Sequence, residues 1–466
     1  MKRLNRISFM AVSIMLCVAM LLAGCAPAAT SATSAAATKA ADTATLAPLA
    51  TATPAPTATP EATPAPTEPP KTAAPPVTVK FANFSASGDV QQYLDAMVVE
   101  FNKKFSNITL DVETIAFGDY FTQMQTRVAA GTAPDVYELN YENFVSYAKK
   151  GVLMPLEDLY SKAGFDPNTI NKMALKAFNA DGKQYGLPDS FSNVVLIYNK
   201  DLFDKAKLAY PTNDWTWTEE QAAAEKIRAL GKDIFGISHP IQFWEFYKVT
   251  KQNGGGILSD DLKSFTLNTP QNIETLQFMV DRIRKSNVMP TAEQFAGRGD
   301  WDVFKQGKLG MIVTGIWAFS DFTKNITDFK WDIAVEPGKL TKATHFFSNG
   351  LVINKDSKVA DAAFQWATFM CSSKEAAIIR VDAGWELPAV TDTEVLDRYM
   401  KKTPPDNKQA VFDSLNFLVT PPVIEQFTQL SDIVGKHLSA AADGKKTPKQ
   451  ALDDAQKECV AKIKLN

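Results

Sequence analysis

Between Val77 and Leu139 the spacing of apolar residues switches repeatedly between two periods. Val77-Thr78-Val79-Lys80-Phe81 alternates apolar with polar, as a strand with one buried face does. From Val90 to Phe105 the residues Tyr93, Leu94, Met97, Val98 and Phe101 fall on one side of a helix. Ile108 to Val112 alternates again. Asp119 stands where it would cap a helix carrying Phe121, Met124 and Val128, which Gly131 stops. Val136 to Leu139 follows Pro134 as a third strand. A β-α-β-α-β order of this kind admits few folds. Parallel neighbours need a crossover element, so the chain must build a parallel sheet covered by helices.

The same reading extends along the chain. It predicts a helix over Asn143 to Lys150 and strands over Gln184 to Leu187 and Val194 to Tyr198. Thr216-Trp217-Thr218-Glu219 has capping-box spacing and opens a helix to Leu230. Strands are expected at Ile234 to Ile237, Leu309 to Val313 (ending at Gly315) and Leu351 to Ile353. Helices are expected at Pro270 to Lys285 and over most of the chain from Val359, closing with Pro448 to Ile463. Gly254-Gly255-Gly256 lacks the lysine and hydroxyl residue of a phosphate loop and reads as a flexible turn near a cleft. The span 77–466 is long for one core, and two lobes are expected. Open α/β sheets bind ligands beyond the carboxyl ends of their strands, so two facing lobes make a cleft.

The first 76 residues belong to a different regime. Lys2, Arg3 and Arg6 precede an apolar stretch from Ile7 to Leu22, which is short for a membrane span. It ends in Leu22-Ala23-Gly24-Cys25, which looks like a lipobox. The expectation is a signal peptide over 1–24, a lipidated Cys25 and an extracytoplasmic protein held at the membrane by lipid, on the cell surface or in the periplasm. Residues 26–76 are dominated by Ala, Thr and Pro, without an aromatic, and cannot pay for their own ordering by burial. This linker is expected to be disordered and, fully extended, to reach on the order of 150 Å. The formal net charge is −3 and becomes −6 if the three basic residues leave with the signal. That acidity argues against nucleic acid and against electrostatic docking on anionic lipid. Cys371 and Cys459 could pair in an oxidising compartment or simply be buried. With only His239, His345 and His437, and no zinc spacing, neither a metal nor a cofactor is expected.

Several segments together carry a resemblance. They are Ala129-Ala130-Gly131-Thr132-Ala133-Pro134-Asp135-Val136; Asp181-Gly182-Lys183-Gln184-Tyr185-Gly186-Leu187-Pro188 with Leu196-Ile197-Tyr198-Asn199-Lys200-Asp201-Leu202-Phe203; Trp215-Thr216-Trp217-Thr218-Glu219-Glu220; Phe304-Lys305-Gln306-Gly307-Lys308-Leu309-Gly310-Met311 leading to Gly315-Ile316-Trp317; and Ala383-Gly384-Trp385-Glu386-Leu387-Pro388-Ala389. In order and spacing the chain resembles, over essentially all of 77–466, the extracellular solute-binding proteins of ABC sugar importers, the group that includes the maltodextrin-binding protein. The resemblance implies an α/β, two-lobed periplasmic-binding-protein fold of type II. Its discontinuous lobes would be about 77–188 plus 347–395 and about 189–346 plus 396–466. Hinge crossings are expected near Pro188, near Phe346 and near 390–405. It implies a monomer that is not an enzyme and that captures a mono- or oligosaccharide for an ABC permease. A polyol phosphate or a peptide as cargo, a secreted glycoside hydrolase, and an adhesin remain as alternatives.

The candidate ligand-binding residues follow from that placement and from sugar chemistry. A pyranose has a face of polarised C–H groups that a flat ring buries well. Trp317 follows a strand end and matches a Gly-x-Trp segment that contacts sugar in the family. Trp385 sits in a Gly-Trp-Glu-Leu-Pro turn, and Trp244 and Trp301 are further candidates. Trp215, Trp217, Trp331 and Trp366 read as packing or surface residues. Hydroxyls need groups that donate and accept together. Asn140, Tyr141 and Glu142 follow the third strand, Asp189 and Ser190 follow Pro188, Phe84 and Ser85 end the first strand, and Asp119 opens the second helix. Asn349 and Glu386 complete the set.

Overall fold

The computed structural model describes residues 75–422 and 424–465. The expected signal peptide, Cys25 and the linker up to residue 74 lie outside the described residues. Among the described residues no helix is long and apolar enough to cross a membrane.

Among the described residues fourteen strands follow in chain order: β1 Val77–Asn83, β2 Ile108–Thr114, β3 Val136–Asn140, β4 Asn179–Ala180, β5 Lys183–Gln184, β6 Gly186–Ser192, β7 Val194–Asn199, β8 Phe235–Ser238, β9 Leu309–Gly315, β10 Trp331–Ala334, β11 Thr344–His345, β12 Phe347–Ile353, β13 Leu387–Pro388 and β14 Leu418–Val419. β1 exposes Thr78 and Lys80 and buries Val79 and Phe81, as its alternation requires. The helix Gln91–Lys104 buries Leu94, Met97 and Phe101 on one side and returns the chain to β2, which runs parallel to β1 from Val77↔Ile108. The helix Phe117–Ala129 makes the second crossover, and β3 pairs in parallel with β1. That helix starts with Ala116 in the cap position, so Asp119 lies exposed inside its first turn and is not the cap.

The first sheet has the order β13-β6-β12-β3-β1-β2, the second β10-β7-β9-β8. β12 is antiparallel to both β3 and β6, which turns a parallel sheet into a mixed one. Trp366 is fully buried under the first sheet with its ring edge-on to Phe81 and Phe101, 5.5 and 5.2 Å between centroids. Trp331 is likewise buried, on β10. Beside the second sheet, the helices Phe243–Gln252, Pro270–Arg284, Phe427–Ala442 and Pro448–Lys462 share a separate core. Trp217 stacks on Phe278 there, 4.4 Å apart and nearly parallel. The Thr216–Glu219 capping box opens the helix Trp217–Arg228.

Only Asn193 separates β6 of the first sheet from β7 of the second, so the first passage falls there and not near Pro188. Pro188 lies inside β6, at a register shift. Asn349 faces Ser190 and Gly350 faces Pro188, which leaves Asp189 as the extra residue of a bulge. Bulges accommodate proline in a strand, and that is why a residue read as a strand end is interior. The second passage is Phe346, between β11 and β12. The third lies between the helix Thr393–Lys401 and β14. Side chains and backbone tie the three together. Asn193 Nδ2 donates to Val411 O at 2.7 Å, Thr344 Oγ1 donates to Val194 O at 2.6 Å, and Phe346 N donates to Val419 O at 3.0 Å.

The glycine run 254–256 is not a loose turn at a cleft. Asn272, fully buried, accepts from Gly256 N and donates to Gly256 O, and a Cβ on Gly255 would lie 2.0 Å from its Oδ1. Close approach of the backbone is what the glycine supplies. Cys371 and Cys459 are both buried and unpaired, and Cys371 Sγ donates to Leu187 O at 3.2 Å.

Candidate functional site

Alternate residues of a strand point to one face, so Phe347 and Asn349 of β12 stand side by side, about 7 Å apart along the strand. Around each, the fold assembles one half of a candidate site.

Phe347 gathers the aromatic half from the second lobe. Its ring lies edge-on to Trp317 at 5.6 Å and to Trp244 at 5.8 Å, and Trp244 meets Phe427 at 5.3 Å. Trp317 rides on the short 3-10 turn Ile316–Ala318 that follows β9. The turn folds the indole back over the strand end, where a Cβ on Gly315 would meet it at 2.0 Å. The Gly-x-Trp spacing thus has a packing cause. Trp244 comes from the first turn of the helix Phe243–Gln252, and both indoles are half-buried.

Asn349 gathers the polar half from the first sheet. It pairs with Asn140 of β3 on one side and Ser190 of β6 on the other, and Ser190 in turn faces Pro388 of β13. A row of polar residues therefore crosses neighbouring strands at one level. Glu386 closes the row. Asn349 Nδ2 donates to its carboxylate at 3.3 Å, and Ser190 Oγ donates to the same oxygen. Burial raises the Glu386 carboxyl, and the Ser190 hydrogen bond opposes this. Asn140 caps the helix Tyr141–Lys149, accepting from Asn143 N at 3.3 Å and Asn143 Nδ2 at 2.8 Å.

Glu142 opens that helix and is 3 % exposed, with neither carboxyl oxygen hydrogen-bonded. Burial pushes it up to about 8, so the carboxyl is neutral at pH 7. Its field also contributes to raising Tyr141 and Tyr247, although burial is the larger cause for both. Tyr247 belongs to the second lobe and reaches the hinge, where its hydroxyl lies 2.6 Å from His345 Nδ1. Burial lowers His345 to about 4, so the imidazole is neutral.

The remaining sequence candidates are placed differently. Asp189 is fully buried in an ion pair with Arg380, so its carboxylate is turned into the lobe. The Arg380 guanidinium also lies 4.3 Å over the Trp385 ring, which leaves that indole 7 % exposed. Phe84 is core, within 5.5 Å of Phe117, Tyr120 and Phe121. Ser85 is half-exposed, and its backbone N–H donates to Glu138, a buried carboxyl pushed up to about 8 by burial and then by Asp189. Trp301 donates from Nε1 to Thr314 Oγ1 at 3.2 Å and packs edge-on to Phe322. Phe347, Phe427 and Tyr247 were not among the sequence candidates. The alternation Phe347-x-Asn349 was a readable signal for the first, while Phe427 has no local one.

His239, Glu245 and Glu336 each offer an atom within 4.8 Å of the others, a spacing suited to a metal. The Lys248 ammonium already lies 2.6 Å from Glu245 and 2.5 Å from Glu336, and it supplies the cation that this pair of carboxylates needs.

Residues 85–377 match the family model described as bacterial extracellular solute-binding protein. An ABC substrate-binding protein from Listeria monocytogenes, solved in complex with cycloalternan, is 46 % identical with a TM-score of 0.79, covering 83 % of this chain and 98 % of that one. A protein of Brucella abortus described as a binding protein is 26 % identical over 394 residues, 83 % of this chain and 93 % of its own length. The galactooligosaccharide-binding protein of Bacillus subtilis is 24 % identical over 351 residues, 72 % of this chain and 78 % of its own.

Proposed function

The chain belongs to the family of bacterial extracellular solute-binding proteins, and from that premise we propose that it captures a carbohydrate between its lobes outside the cytoplasm and delivers it to the permease of an ABC importer. One observation carries the choice of carbohydrate. On a single face of β12, an aromatic cluster of Trp317, Trp244, Phe347 and Phe427 adjoins a row of amide, hydroxyl and carboxyl groups, Asn140, Asn349, Ser190 and Glu386. Indole and phenyl faces bury the C–H side of a pyranose, and the row exchanges hydrogen bonds with its rim.

Glu142 adds a carboxyl without a partner, which a sugar hydroxyl would satisfy. Relatives that bind cycloalternan and galactooligosaccharides point to the same class. Glycerol phosphate-binding proteins also occur among the relatives. A phosphate would meet the carboxyl groups of Glu142 and Glu386 here, where an arginine fork would serve it better, and a neutral sugar fits the row. The role is binding, not hydrolysis.

The mechanism is closure. The lobes, about 77–192 with 347–401 and about 194–345 with 418–465, rotate about the passages at Asn193, Phe346 and 402–417. Ligand shifts the balance by its extra affinity for the closed form. In this reading, lipid on Cys25 tethers the protein at the membrane. Titrating tryptophan fluorescence with a panel of cyclic glucans, malto- and galactooligosaccharides and glycerol 3-phosphate tests the assignment. A saturable change with a carbohydrate, lost in Trp317→Ala, is expected. A response to glycerol phosphate alone would overturn it.

A further inference from the structure

A cavity lies on the seam between the lobes, and Phe347 is not among the residues that line it. It has a volume of about 220 Å³, with Tyr93, Trp385 and Tyr399 contributed by the first lobe, Phe319 by the second, and Lys402 and Lys408 by the third passage. The Ser320 hydroxyl donates to Ala383 O at 2.8 Å across its rim, and Lys324 pairs with Asp89 from the opposite lobe at 2.5 Å.

Lys408 is the unusual member. It is 4 % exposed, and among the described residues no carboxylate pairs with it. Its ammonium lies 4.5 Å from the centre of the Tyr399 ring and 5.1 Å from that of Phe319. Ring faces attract a cation but accept none of its three N–H bonds well, and an ammonium taken out of water without acceptors is costly. Tyr399 lines the cavity, and its hydroxyl is also buried without a hydrogen-bond partner. Lys402 gives its own ammonium to Val381 O at 2.9 Å and so adds positive charge without consuming an anion. Asp382, the carboxylate on the cavity, is already matched by Arg398, with two contacts of 2.6 Å.

We propose that this cavity is a second binding site, which takes a small oxyanion between the Lys408 ammonium and the Tyr399 hydroxyl. The volume suits an oxyanion with part of its hydration, since a water molecule occupies roughly 30 Å³. Burial and the neighbouring Lys402 push Lys408 down to about 8, a cost that a bound anion would relieve. Trp385 then has a role as one wall of this site, its other face covered by Arg380.

Calorimetric titration of the full chain with inorganic phosphate and, separately, with acetate tests the site and separates phosphate from carboxylate as the preferred oxyanion. Saturable binding of either is expected, weakened at least about tenfold in Lys408→Met and more mildly in Tyr399→Phe, and retained in Trp317→Ala. Absence of saturable binding of both anions, or equal affinity in a folded Lys408→Met, would overturn the proposal. Should Lys408→Met fail to fold, Tyr399→Phe decides, and unchanged affinity there overturns it.

Discussion

Phe347 and Asn349 stand on one face of β12, the ring against two indoles of the second lobe and the amide against Glu386 of the first. Two kinds of chemistry, flat apolar surface and directional hydrogen bonding, therefore adjoin at a separation fixed by the strand itself.

Trp317 is half-buried and held mainly by Phe347 and the glycine beneath it, so its loss removes proposed binding surface and little core. Trp317→Ala is expected to weaken carbohydrate binding by about 2 kcal/mol or more while leaving the melting temperature nearly unchanged. Calorimetry on the preferred sugar, with a thermal melt alongside, checks both halves. Unaltered affinity would remove Trp317 from the site.

Gly315→Ala is expected to mimic that loss without touching the indole. The new methyl would stand 2.0 Å from the Trp317 ring, so the ring must move out of its place. Overpacking of this sort costs about 1–3 kcal/mol of stability. A crystal structure or an altered tryptophan emission maximum would show the displacement, and wild-type binding by this variant would count against it.

Glu142 makes a pH prediction with a definite sign. Its carboxyl is raised in the folded protein from about 4.5 to about 8. Its contribution to stability is fully present below the unfolded value and is lost as pH rises through the folded one. The ligand-free wild type should therefore lose stability between pH 5 and pH 8 more steeply than Glu142→Gln. Urea unfolding at several pH values reads the two slopes, and parallel slopes would show that Glu142 ionises normally.

The Arg380–Asp189 pair is fully buried, and Arg380 Nε and Nη1 have no partner. Arg380→Met is expected to cost about 3–5 kcal/mol by stranding the Asp189 charge. The double variant with Asp189→Asn should cost less than the two single changes added together. Denaturant midpoints of the three variants provide the check.

The first three strands were legible because half-buried strands alternate and their crossover helices repeat at 3.6, and both periods survive in the primary structure. The positions of Trp317 just past β9 and of Asn140 at the end of β3 were legible for the same reason. What escaped depends on partners distant in sequence. Pro188 reads as a strand end until the bulge at Asp189 gives it a place inside β6. Asp189 reads as a free acceptor until Arg380, 191 residues away, closes on it. Asp119 is a local miss of another kind, since it reads as a cap although Ala116, just ahead of the same helix, occupies that position. Phe427 enters the aromatic cluster only because the C-terminal helices fold back on the second lobe.

The stitching of the three passages by Asn193, Thr344 and Phe346 has a mechanical meaning. Clamped leaves of a spring bend as one, with a single neutral line, and resist twisting that any one leaf alone would permit. In the closure proposed above, such stitching would guide the lobes along one swing, like a door on a long piano hinge, and would return the aromatic and polar halves of the proposed site to the same alignment each time.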